Sequence, residues 1–182
     1  MSIKKEFLKI KIKDERVHLE WQLKREDETY DKYSLESKDA PHPSFTLKLL
    51  ELRNYVNDIC DLRLQIDEFH KLKISSISIN YAGEKHIMGA AITALKDLPN
   101  RNSPLVVNTP YLIEDYYSDQ GDPNSLLPSK LVLLIYEIFD YADDYILGKR
   151  AQLNFFTLDK DDNYQPENIS KTKGGKIAVK NL

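Results

Sequence analysis

At 182 residues, with 41 % hydrophobic and 30 % charged side chains, the chain has the make-up of one ordinary globular domain. A formal net charge of -3 is too small for the average field to steer a polyanion, and no dominant cluster of Lys and Arg stands out along the sequence. The longest apolar run, Leu131 to Ile135, is far short of the roughly 20 residues that span a bilayer, so no membrane association is expected.

The N-terminal stretch Met1-Ser2-Ile3-Lys4-Lys5-Glu6 leads into alternating charges rather than an apolar leader, and the single cysteine, Cys60, leaves no internal disulfide to form. Both features suit a reducing cytoplasm. Leu8, Ile10 and Ile12 alternate with lysines, and after Asp14-Glu15-Arg16 the residues Val17, Leu19, Trp21 and Leu23 alternate with His18, Glu20 and Gln22. This period of two on both sides of a polar break predicts an antiparallel hairpin with one buried face. Tyr33 and Leu35 allow a short third strand within residues 30–36.

The breaker cluster at residues 39–44 introduces Phe45, Leu49, Leu52, Val56 and Ile59 at spacings of three and four, which predicts an amphipathic helix with Pro43 or Ser44 in its first turn. Leu47, Leu50, Tyr55 and Leu62 are expected to widen its apolar face. Beyond it, Leu72 and Ile74 lie on one parity and Ile77, Ile79 and Tyr81 on the other, so a bulge at Ser75-Ser76 is expected to restore the inward face. A turn at residues 82–85 leads back into Met88, Ala90, Ile92 and Ala94. The small residues Gly89, Ala90 and Ala91 imply a close neighbour, most simply the first helix.

Residues 104–110, bounded by prolines, read as an edge strand, and the acidic stretch from Glu114 to Ser125, with Tyr116 and Tyr117 at its centre, as an exposed loop. A final helix opens at Pro128, carries Leu131, Leu134, Ile135, Ile138, Ala142 and Ile146 on one stripe, and closes at Gly148. Its additional apolar residues Val132, Leu133, Tyr136 and Tyr141 call for central burial or a second contact, and self-association through residues 131–146 is expected on that ground.

The resulting fold class is α+β: a mainly antiparallel sheet of five or six strands, in the order βββα then βββα, with two main helices on one face. Residues 1–156 form the expected domain and residues 157–182 a flexible charged tail.

Chemistry-bearing motifs are sparse. His18, His42, His70 and His86 have no metal-ligand spacing, and there is no glycine-rich phosphate loop or nucleophile elbow. The expectation is a noncatalytic protein with no cofactor, no metal and no catalytic residue. Asp115, Asp119 and Asp122 share one loop, but their spacing does not match a calcium loop.

After the last helix comes Gln152-Leu153-Asn154-Phe155-Phe156, which resembles the pentapeptide Gln-Leu-x-Leu-Phe by which bacterial polymerases and repair proteins dock on the sliding clamp. The glutamine amide of such a peptide makes hydrogen bonds at the rim while an aliphatic and an aromatic side chain fill apolar pockets. Phe155 departs from the more usual leucine. Gln152, Leu153, Phe155 and Phe156 are therefore candidate partner-binding residues, with the clamp as the bacterial partner.

A broader resemblance covers residues from about Lys32 to Phe156. The runs Gly89-Ala90-Ala91-Ile92-Thr93-Ala94-Leu95-Lys96, Pro104-Leu105-Val106-Val107-Asn108-Thr109-Pro110 and Tyr145-Ile146-Leu147-Gly148-Lys149-Arg150-Ala151-Gln152 look like a family of small proteins encoded by tailed phages and prophages, with no established activity. The resemblance implies a phage accessory product in the cytoplasm of a bacterial host. Two functions then compete: an accessory of bacterial DNA replication or recombination tethered through residues 152–156, or an inhibitor or decoy of host defence that contacts a defence protein or its signal molecule through the acidic loop of Tyr116 and Tyr117 or through the tyrosine-rich last helix. Nucleic acid stays open as a partner.

Overall fold

The computed structural model describes residues 5–13, 16–83, 86–114 and 125–150, all within one compact unit, Met1–Gln152. Strands β1 (Lys5–Lys13), β2 (Arg16–Lys24) and β3 (Tyr30–Ser37) form a meander followed by helix α1 (Pro43–Ile59) and a 3₁₀ segment, Ile66–Lys71. A second meander, β4 (Leu72–Ala82), β5 (Ile87–Lys96) and β6 (Leu105–Asn108) with the two-residue β7 (Leu112–Ile113), leads to helix α2 (Ser129–Ile146).

The spatial order β3-β2-β1-β4-β5-β6 is symmetric about the antiparallel contact of β1 with β4. Exchanging the two βββα halves leaves the topology unchanged. Every strand pair is antiparallel. Among the described residues the sheet has seven strands rather than five or six because its outer strand is broken at Pro110: β6 pairs with residues 93–96 of β5 and β7 with residues 89–90. Thr109 bridges the break, its N–H donating to the Ile92 carbonyl and its hydroxyl accepting from the Ile92 N–H, both at 2.9 Å.

Register explains the layering. The cross-strand partners Leu35, Leu19, Ile10, Ile77 and Ile92 form one transverse row from β3 to β5. Leu19, Ile10, Ile77 and Ile92 are buried, and Leu35 packs against them. Both helices cover this face. Phe45, Leu49, Leu52 and Val56 of α1 and Leu131, Leu134, Ile135, Ile138 and Ala142 of α2 supply the matching stripes.

Lys48 links the helices across the top, reaching Glu51 at 3.1 Å and Glu137 at 2.8 Å. Phe139 of α2 meets Phe7 of β1 at a centroid distance of 5.2 Å. The bulge expected in β4 is present between Ile74 and Ser76.

Three expectations are corrected. In β1 a register shift between Phe7 and Lys9 turns Phe7 into the core, and Leu8 stays half-buried instead of leading the inward row. Leu47 points away from the stripe of α1 and is 60 % exposed. The close neighbour of Gly89 is not α1: a Cβ built there would overlap the phenol of Tyr111, which lies on the side of the sheet away from the helices. Gly89 alternates with the core residues Met88 and Ala90, so pleating carries it to the opposite face.

Candidate functional site

The face of the sheet that α1 and α2 leave uncovered follows from the same register, one residue out of step. Cross-strand pairing places Glu36, His18, Lys11, Ser76, Thr93 and Asn108 in one polar row from β3 to β6, and Ser34, Glu20, Lys9, Ser78 and Ala91 in the next. Lys9, Lys11, Lys13, Arg16, His18 and Glu36 line a shallow cleft of about 440 Å3. The sequence reading missed this gathering of cations, because the charges are interleaved with Ile10, Ile12 and Val17 and approach one another only when β1 pairs with β2. Its signal was present in the spacing: lysines at 9, 11 and 13 share one strand face.

The carboxylates of the face are partly engaged. Glu20 lies 2.7 Å from His18 Nε2 and 4.0 Å from Lys9 Nζ, and Arg16 is 3.7 Å from Glu36. Among the described residues, no carboxylate lies within ion-pair distance of Lys11 or Lys13.

A second polar cluster lies at the far end of the same face. Glu6 is only 5 % exposed and accepts a 2.8 Å hydrogen bond from Gln22 Nε2. His86, at a backbone φ of 51°, brings Nε2 to 2.6 Å from the Tyr30 hydroxyl and Nδ1 to 3.7 Å from Glu6. Burial, and then the charge of Glu6, raise the pKa of the Tyr30 phenol. These contacts tie β1, β2 and β3 to His86, which immediately precedes β5.

At the end of α2 the chain is tied down. Tyr145, 1 % exposed, donates its hydroxyl to the Asp39 carbonyl at 2.6 Å. The Arg150 guanidinium lies over the Tyr145 ring, 3.5 Å from its centroid. It also donates to the Tyr145 carbonyl and, at 3.4 Å, to the Asp39 carboxylate. A backbone bridge joins Arg150 to Pro41. The sequence hides this knot because its partners are 106 and 111 positions apart.

Gln152, Leu153, Phe155 and Phe156 lie outside the described residues, as do Tyr116 and Tyr117 and the expected tail. On α2, Val132 is buried and Tyr141 stacks on Phe45 at 6.4 Å, while Leu133 remains 64 % and Tyr136 42 % exposed. Tyr136 donates its hydroxyl to Glu114 at 3.2 Å. Among the described residues, no three His, Cys, Asp or Glu side chains converge as metal ligands, and no helix is long and apolar enough to cross a membrane. Comparison with protein-family models, with curated proteins and with solved structures finds no match for the chain.

Proposed function

We propose that the protein is a noncatalytic phage accessory protein that acts on bacterial DNA replication or recombination and docks on the sliding clamp through Gln152, Leu153, Phe155 and Phe156. The supporting observation is the knot at Arg150. Its stacking on Tyr145 and its contacts to Asp39 and Pro41 anchor the chain two residues before Gln152. A docking peptide attached at a fixed point costs less to order than one on a free chain.

Truncating Phe155 and Phe156 together to alanine is expected to abolish clamp binding, at a cost of about 2 kcal/mol or more, with little change in melting temperature. Titration of purified clamp against the native and substituted proteins, with thermal melts alongside, checks this. No binding by the native protein, or a large drop in melting temperature for the variant, would transfer the reading to a host-defence inhibitor acting through Tyr116 and Tyr117.

The proposal extends to self-association through residues 131–146, where Leu133 and Tyr136 supply the exposed apolar surface of α2. Light scattering is expected to show a concentration-dependent rise above the monomer mass that Leu133→Glu removes. A constant monomer mass at high concentration would end this part of the proposal.

A further inference from the structure

We infer that the uncovered sheet face binds single-stranded nucleic acid along the β1–β2 strip, holding it by its phosphates. The inference rests on other residues than the clamp peptide, and neither reading depends on the other.

The strip has the composition of an electrostatic track. Lys9, Lys11 and Lys13 follow one another on one face of β1, at intervals of about 6.7 Å set by strand geometry. Their cross-strand partners are Glu20, His18 and Arg16. Lys9 and Arg16 face carboxylates at 4.0 and 3.7 Å, and Lys11 and Lys13 lie between them without one among the described residues. Among the described residues the local excess of positive charge therefore centres on Lys11 and Lys13, on a face whose next strand carries the hydroxyls of Ser76 and Ser78. Lysine ammonium groups and hydroxyls are both phosphate donors that carry no base information.

The chemistry of the lining selects among anionic partners. A protein surface is held mainly by buried apolar and aromatic anchors, whereas the cleft lining is Lys9, Lys11, Lys13, Arg16, His18 and Glu36. A partner bound here gains its affinity from charge, as a polyphosphate backbone does through counterion release. Form selects between single strand and duplex. Bases of a duplex are read by an element that enters a groove, and these cations stand on the broad face of a sheet of seven strands. A flexible single strand can lie along β1 with its bases turned to solvent.

The test is fluorescence anisotropy with a labelled oligothymidylate of about 20 nucleotides, enough to cover one site of this size. With four cations engaged, the logarithm of the binding constant should fall with the logarithm of salt concentration at a slope of about -3. The double substitution Lys11→Gln with Lys13→Gln should weaken binding at least tenfold at about 50 mM salt and roughly halve that slope. Its melting temperature should match that of the native protein, since both side chains stand on the uncovered face. The variant with Phe155 and Phe156 truncated should bind the oligonucleotide as the native protein does.

Undetectable binding by the native protein at low salt would overturn the inference, as would full affinity in the lysine variant. Tighter binding to a duplex of the same length would overturn the single-strand assignment. Displacement of the oligonucleotide by polyglutamate at equal charge concentration would reassign the strip to an acidic polypeptide.

Discussion

Replacing Ile77 with alanine is expected to lower the unfolding free energy by about 3 kcal/mol, read as a shift of the urea midpoint at unchanged slope. Ile77 is fully buried, pairs with Ile10 across the junction of the two halves and with Ile92 on the other side, and lies beneath the helices. Truncation removes apolar contact and leaves a cavity in the middle of a row whose backbone is held by ladders on both sides. The sheet cannot close around the gap without breaking those ladders. Ser76→Ala, one residue away on the uncovered face, should change stability by less than about 0.5 kcal/mol. Equal effects at the two positions would contradict the assignment of one covered and one uncovered face.

The second large effect is a dependence of stability on alkaline pH through Tyr81. Its pKa is raised above the ordinary phenol value of 10.0, first by burial and then by the charges of Glu6, Tyr136 and Glu114. Above pH 10 the unfolded chain releases a proton that the folded protein keeps, so the folded state binds more protons and stability falls as pH rises. The contribution is complete below pH 10 and is lost progressively as pH climbs from there toward the folded value. One pH unit corresponds to at most about 1.4 kcal/mol, and solvent screening of the half-buried ring brings this nearer to 1.

Tyr81→Phe removes the titration. The stability difference between the native protein and the variant should therefore change between pH 9.5 and 11 by about 1 kcal/mol, in the direction that favours the variant at high pH. Surface lysines that lose their ion pairs in this range do so in both proteins, and the comparison cancels them. A difference independent of pH would show that Tyr81 ionises as freely in the fold as in the unfolded chain.

Local pattern carried most of the architecture. Alternation in residues 8–23, the parity change at Ser75-Ser76, and the three-and-four spacing from Phe45 and from Leu131 each describe a segment that buries one face, and such a face can be read without knowing what covers it. Register was legible only where a turn or bulge reset it. The shift after Phe7 was not, because Phe7 and Leu8 are both apolar and only the pairing with Trp21 selects Phe7.

What depended on contacts distant in sequence stayed hidden. Gly89 announced a close neighbour, but two different faces can supply one, and the tertiary structure chose Tyr111 over α1. The average charge of -3 correctly described the chain as a whole and concealed the β1–β2 strip, since a composition has no position and pairing concentrates the lysines on one side. The knot of Tyr145, Arg150 and Asp39 stayed hidden because its partners are 106 and 111 positions apart, and the Tyr145 bond to a backbone carbonyl imposes no residue type on the partner that accepts it. By itself the sequence determined which segments have a face to bury. The fold decided which residues share the face left open, because that depends on strand order, and strand order is settled by the packing of the whole core.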